Sequence, residues 1–534
     1  MLTLPLDPTD DRANPAFKDA ATCTQWLGQL QLTNLQQAHT TLRTQLDEFN
    51  RYPLRGLERL HALELLRETV GHVQGDYARK LAAKALPLGD GELAIFNALN
   101  QLWQSLVTGY QRCLQAYIAG DQKLLPYGAL LCHRCLAYSG LQILEHLRAG
   151  YEVAGTLWQQ LHALYAYAEE QGLQLTAVED ALNQAHGHHT FCSAIYIKTL
   201  LTCHAHPEEL SRSQLQLLDR WLAQWVTGLC LERTYTASRG DAQPLAVDLD
   251  SQQGLQPLAL LGQEPRDSLR YLPMVPLSKL LRVNTILLQQ GQTPQQLELG
   301  TGISAVDGAE FLTRLHRYWC EERPSRMAER HDTAQEVQLC YGVEGIYAHI
   351  AHKPFRQPSK GASDSASQQI ATFGRVLSDT GRQSLEQLGY IQESWLLEED
   401  SILGARLLRH DAAGIRLAPK QLVALCRTDT CTLAAISWLT VTRDGQLRGG
   451  IHYFPGLPQA VSIKVAGSNA AALLLPALPE LKIPASLVIP RNLFQAGRPL
   501  ELALGGGEKQ KIKMEISVER GLDYERISFS AMKA

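Results

Sequence analysis

The strongest constraint in this sequence is a change of hydrophobic period partway along the chain. Up to about residue 322 the apolar residues recur at helical spacing. Ile95, Leu99, Leu102 and Leu106 fall at i, i+4, i+7 and i+11, one face of an α-helix. Leu157, Leu161 and Leu164 repeat the pattern, and so do Leu215, Leu218, Leu222 and Trp225. Thr176 with Glu179 and Ser211 with Gln214 have the spacing of capping boxes. Gly291 is suited to end one helix, and Thr293-Pro294 to open the next. Such a run predicts antiparallel helix pairs, stacked or bundled. No fixed repeat length is found in it. Residues 231–254 break the pattern and read as an extended connection, where the helical region could divide.

The remainder alternates with period two. Ile512, Met514, Ile516 and Val518 alternate with Lys511, Lys513, Glu515 and Ser517. Ala434, Ile436 and Trp438 also alternate, which predicts a largely buried Trp438, and Asp444-Gly445 then makes a hairpin turn. Residues 485–490 form another short strand. Many short strands between Gly, Pro and Asp turns predict an antiparallel barrel. The small polar stretch 356–369 reads as a linker, and a helix is expected around 371–390. The expected fold is therefore multidomain α+β. An all-α scaffold spans 1–322, a β-barrel with an inserted linker spans 323–466, and additional strands or a second small barrel span 467–534.

With 534 residues the chain exceeds one hydrophobic core. Its 50 basic and 54 acidic residues leave a formal net charge of −4, too weak a field to attract nucleic acid or anionic lipid. No apolar run reaches membrane-spanning length, and the first residues lack the pattern of a signal peptide. The eleven cysteines then read as reduced thiols of a cytoplasmic protein.

Two short motifs carry chemistry. Arg326 and Arg330 form an RxxxR directly before the segment 337–350, read as the first strand. Glu399, Ser401 and Gly404 form an ExSxxG followed by the strand-like Ala405–Arg409. Arginine matches phosphate oxygens and the O6/N7 edge of guanine with its fork, and stacks on a base with its plane. Serine supplies one hydrogen bond, glycine lets backbone approach a base, and the carboxylate accepts from guanine N–H groups.

The order RxxxR, strand, ExSxxG, strand resembles the PilZ domain, whose ligand is cyclic di-GMP. The resemblance covers about residues 323–465. It implies a non-enzymatic receptor in bacterial signalling that needs no cofactor, with Arg326, Arg330, Glu399, Ser401 and Gly404 on the ligand. The helical region would dock an unidentified protein partner. The chain departs from the family pattern in Glu399, where the family has Asp or Asn. Asp400 is one residue out of register and would face the other side of a strand. The spacing between the motifs, about seventy residues, is also longer than in the family. The alternative is a helical interaction or chaperone-like scaffold whose barrel has lost the nucleotide.

Other clusters fit known chemistry less well. His186, His188, His189, Cys192, Cys203, His204 and His206 are of zinc-ligating type, but their spacing closes no four-ligand set. Cys132 and Cys135 form a CxxC inside a helical pattern. Gly505–Lys509 lies between strands, where a phosphate loop would need a following helix.

Overall fold

The computed structural model describes residues 2–81, 84–180, 189–235, 242, 244–261, 266–321, 331–355, 385–410, 414–427, 430–465, 467–504 and 509–532. Arg326 and Arg330 lie outside them, as do the linker 356–369, His186, His188 and Gly505–Glu508. The chain forms two compact units. One comprises residues 1–84 and 88–326, and the other residues 85–87 and 327–534.

The first unit is predominantly helical. Its helices are α1 (Ala20–Gln29), α2 (Leu35–Arg51), α3 (Gly56–Ala78), α4 (Asp90–Ile118), α5 (Gly128–Ala149) and α6 (Gly155–Glu170), then α7 (Cys192–His204), α8 (Arg212–Trp225), α9 (Val275–Gln289) and α10 (Ala305–Cys320). Local sequence sets their ends. Asp19 and Thr22 close a reciprocal cap on α1, and Ser211 and Gln214 do so on α8. Gly150, at φ +71, ends α5 where a side chain would be strained. The faces expected from periodicity are the buried ones, with Leu99, Leu102 and Leu106 of α4 sealed from solvent.

Three expectations are corrected here. Thr176 opens no helix: Val178–Glu179 (β1) pairs with His189–Thr190 (β2) as a two-stranded stem. Thr293 and Gln296 do cap one another, but the segment after them is a turn. The scaffold is also not purely helical, because the extended region at 231–254 feeds a small antiparallel sheet. Its strands are β3 (Leu245–Asp248), β4 (Gln256–Pro257) and β5 (Leu269–Leu272), in the order β4-β3-β5. Leu245, Ala246 and Val247 are all buried, so β3 carries no alternation by which it could be read.

The second unit contains two closed six-stranded antiparallel barrels. The first is built from β6 (His331–Tyr341), β7 (Gln392–Asp400), β8 (Gly404–Arg409), β9 (Leu422–Cys426), β10 (Cys431–Val441) and β11 (Leu447–Tyr453), in the order β10-β11-β8-β7-β6-β9. A helix, α11 (Gly342–Ala351), follows β6 where the sequence reading continues the strand. Gly342 turns the chain at φ +67, and Val343, Ile346 and Tyr347 then bury one face at helical spacing.

The second barrel comprises β12 (Gln459–Val465), β13 (Ser468–Leu475), β14 (Ser486–Pro490), β15 (Pro499–Ala503), β16 (Lys509–Arg520) and β17 (Tyr524–Ala531), ordered β12-β13-β14-β17-β16-β15. It therefore begins before residue 467, because β12 pairs with β13 and β15. Its interior holds Val461, Ile463, Leu487, Ile512 and Met514. The two barrels share a further apolar core, in which α11 packs with Leu422, Ala424, Leu433, Ala435, Leu473, Val488 and Tyr524.

Irregular registers decide which alternating residues are inside. The pairing of β16 with β17 shifts between Met514 and Ser517, and beyond the shift Ile516 and Val518 are 65% and 52% exposed. A bulge between Ile436 and Trp438 moves Trp438 off the interior face, and Leu439 is buried instead. Trp438 is thus only half-buried. Trp438→Ala is expected to cost about 1–2 kcal/mol, less than a core tryptophan, because part of its area stays in water. Chemical denaturation checks this, and a loss above about 3 kcal/mol would return it to the core.

Cys426 and Cys431 are joined by a disulfide across the β9–β10 pair, contrary to the reading of every cysteine as a thiol. The Cys340 sulfur lies 3.7 Å from that of Cys426.

Candidate functional site

The ExSxxG motif occupies the connection from β7 to β8. The Ser401 hydroxyl donates to the Gly404 carbonyl at 2.8 Å and accepts from the amides of Leu403 and Gly404 at 3.3 and 3.2 Å. The Ser401 amide donates to the Gly404 carbonyl as well. Serine here closes a tight turn on itself. The turn holds Ile402 outward, 82% exposed. Gly404 is forced by its neighbour strand: a Cβ there would stand 2.1 Å from the Ile451 carbonyl oxygen and 3.1 Å from the His452 Cα.

Glu399 and Asp400 face opposite sides of the strand, as their positions imply. Asp400 accepts from the Tyr453 hydroxyl at 2.9 Å and pairs with Arg427. Glu399 is buried and pairs with Arg406 at 2.6 Å. A bulge in β7 between Leu397 and Glu399 brings Glu398 onto the same face. Glu398 takes Arg406 at 3.0 Å and Arg448 at 3.2 Å.

Across the strands this gives one row in register. Glu399 pairs with Arg406, Arg406 with Gly450, and Gly450 with Trp438. Gly450 leaves the room in which the indole lies, since a Cβ there would come within 2.2 Å of Trp438 Nε1. Arg406 and Arg448 keep 37% and 39% of their side chains exposed while their forks are steadied by carboxylates. The face therefore offers two oriented guanidinium groups, an indole and a carboxylate beside the ExSxxG turn. That combination can hold a phosphate by the fork and a base by stacking.

Of the residues expected at a site, Glu399, Ser401 and Gly404 are thus adjacent. Arg326 and Arg330 are outside the described residues. Arg406 and Arg448 escaped the sequence reading, which places Trp438 in the core and not at a site. The Gly449-Gly450 pair inside a strand was their one signal, because strand glycines mark close approach by a neighbour.

Inside the barrel lies a separate polar group. Glu393 accepts from Arg409 at 2.8 Å, from the Tyr341 hydroxyl at 2.5 Å and from the Ile415 amide at 2.6 Å. Burial, with the Glu393 contact, pushes the Tyr341 hydroxyl well above its ordinary value. The Arg409 guanidinium stacks over Trp395 at 5.3 Å.

Two family models match the chain. Residues 20–234 match the N-terminal domain of "Cyclic-di-GMP receptor FimW", and residues 462–532 match the FimW C-terminal beta-barrel domain. The second match lies within the second barrel, and residues 235–461 fall between the two. The chain is also 23% identical over 566 residues to "Cyclic-di-GMP receptor FimW" of Pseudomonas aeruginosa, covering 95% of this chain and 90% of that protein. No solved structure matches. No helix among the described residues is long and apolar enough to cross a membrane.

Proposed function

We propose that this chain, similar along nearly its whole length to a cyclic-di-GMP receptor, is itself a non-enzymatic receptor for cyclic di-GMP. Its first barrel acts as a PilZ-like module in a cytoplasmic bacterial signalling protein, and the helical unit engages a protein partner. The observation that carries the reading is the outward row of Glu399, Arg406, Gly450 and Trp438 beside the ExSxxG turn. Arg326 and Arg330, which lie outside the described residues, are proposed on the RxxxR motif alone as further phosphate contacts.

Calorimetric titration of the full chain with cyclic di-GMP tests this. Arg330→Ala is expected to weaken binding by about 1.5–3 kcal/mol, roughly ten- to a hundredfold, by removing a charge-assisted contact. Arg330→Lys should restore little, because an ammonium lacks the planar fork. A wild-type chain that takes up no nucleotide at high micromolar concentration ends the receptor reading. Binding untouched by Arg330→Ala moves the site elsewhere.

One observation favours a second reading, in which the barrel is purely structural and the chain a helical interaction scaffold. Ser401 spends its hydroxyl on its own turn, and Glu399 is engaged by Arg406. The same titration separates the two.

A further inference from the structure

The helical unit contains a cavity of about 180 Å³ between α5, α7 and α8. Leu141 and Leu144 of α5 and Ile195 of α7 give it apolar walls. Two ion pairs stand on it. Arg67 is held by Asp180 and by the Tyr138 hydroxyl, 2.9 Å away. Lys198 of α7 meets Asp219 of α8 at 2.9 Å, with 19% and 45% of their side chains exposed. The Arg67–Asp180 pair is buried, and burying charge costs stability unless something is gained in return, while the Lys198–Asp219 pair stands at the accessible edge of the same hollow.

The second pair is the accessible one, and its chemistry is specific. Asp219 presents two carboxylate oxygens, of which Oδ1 meets the ammonium. Lys198 retains two further N–H donors, since an ammonium carries three. Against the cost of desolvation, the Lys198 ammonium holds the Asp219 carboxyl below its usual range, so it is ionised at neutral pH. The Thr199 and Thr202 hydroxyls donate to the carbonyls of Ile195 and Lys198, and so turn only lone pairs to the cavity. With the Arg67 guanidinium already engaged by Asp180 and Tyr138, the hollow offers acceptors and, at its accessible edge, the Lys198 ammonium beside a carboxylate.

The Watson–Crick edge of guanine is the complement of that arrangement. It runs from an amino donor through a ring N–H donor to the O6 acceptor. A carboxylate accepts from the two donors side by side, and an adjacent ammonium donates to O6. Adenine would set its N1 lone pair against the carboxylate. The leucine and isoleucine walls suit the faces of a flat ring. The volume admits one bicyclic base but falls below the roughly 300 Å³ of a drug-sized pocket, and so excludes a whole dinucleotide.

We propose that this cavity is a binding site for a single guanine base, read by Asp219 and Lys198. The inference stands on the helical unit alone and does not rest on the barrel reading. Calorimetry and thermal melting of the full chain with guanosine, guanosine monophosphate, cyclic di-GMP and adenosine test it. Guanosine is expected to bind and to raise the melting temperature, with adenosine at least tenfold weaker. Asp219→Asn, nearly isosteric, should weaken guanosine at least tenfold while the unliganded melting curve stays cooperative. Leu144→Trp, which fills the hollow, should abolish binding. The tightest of the three guanine ligands identifies the source of the base. No guanosine binding up to its solubility, adenosine binding as tightly, or guanosine binding indifferent to both Asp219→Asn and Leu144→Trp would each overturn the proposal.

Discussion

Replacing Arg409 by methionine is expected to destabilise the second unit by about 3–5 kcal/mol, the cost of stranding a buried partner charge. Arg409 and Glu393 keep only 4% and 13% of their side chains exposed, so water cannot readily take the guanidinium's place. Without it the Glu393 carboxylate retains the Tyr341 hydroxyl and the Ile415 amide but, among the described residues, no counter-charge. The double variant Glu393→Gln/Arg409→Met should recover more than half the loss, because no net charge then remains inside. Urea denaturation followed by tryptophan fluorescence reads both, since Trp395 lies under the guanidinium. A single-variant loss below about 1 kcal/mol would mean that the pair behaves as a solvated one.

Gly404→Ala is expected to cost about 3 kcal/mol or more, at the upper end for overpacking. The added methyl would meet the Ile451 carbonyl and the His452 Cα, both backbone atoms of β11 in mid-sheet, which cannot rotate away. Gly450→Ala serves as the contrast. Its methyl meets the Trp438 ring, a side chain on the outer face that can swing aside, so the loss should be clearly smaller. Equal melting temperatures for the two variants would show that β8 can shift to relieve the clash. The comparison also bears on the motif itself, because a glycine required by sheet packing would be kept whether or not a nucleotide is bound.

The architecture was legible because period is a property of residue types. Helical spacing in the first part and alternation in the second survive any detail of packing, and Ser211 with Gln214 marks a helix start in both sequence and structure. What stayed hidden depends on register. Trp438, Ile516 and Val518 alternate faultlessly, yet bulges turn them to the surface. Alternation cannot announce an extra residue that costs the ladder only one pairing. The candidate site was half legible for the same reason. Glu399, Ser401 and Gly404 are contiguous, whereas Arg406, Arg448 and Trp438 meet only once three strands are laid side by side. The segment 337–350 misled because its Val and Ile residues suit a strand, while Gly342 turns the chain into a helix.

The apolar seam between the two barrels has a consequence for how this protein can be divided. Leu422, Ala424, Leu433 and Ala435 belong to one barrel, and Leu473 and Val488 to the other, and they share one buried cluster together with Val343, Ile346 and Tyr347 of α11. Gene truncation in the Pro455–Pro458 stretch would separate two closed sheets with every strand pairing intact. Each half would nevertheless carry a sticky flank into solution, and self-association would follow from that flank. Closed hydrogen-bonding thus does not make either barrel an autonomous module. The pair, rather than either barrel alone, is the part of this region expected to keep its apolar surface covered when expressed by itself.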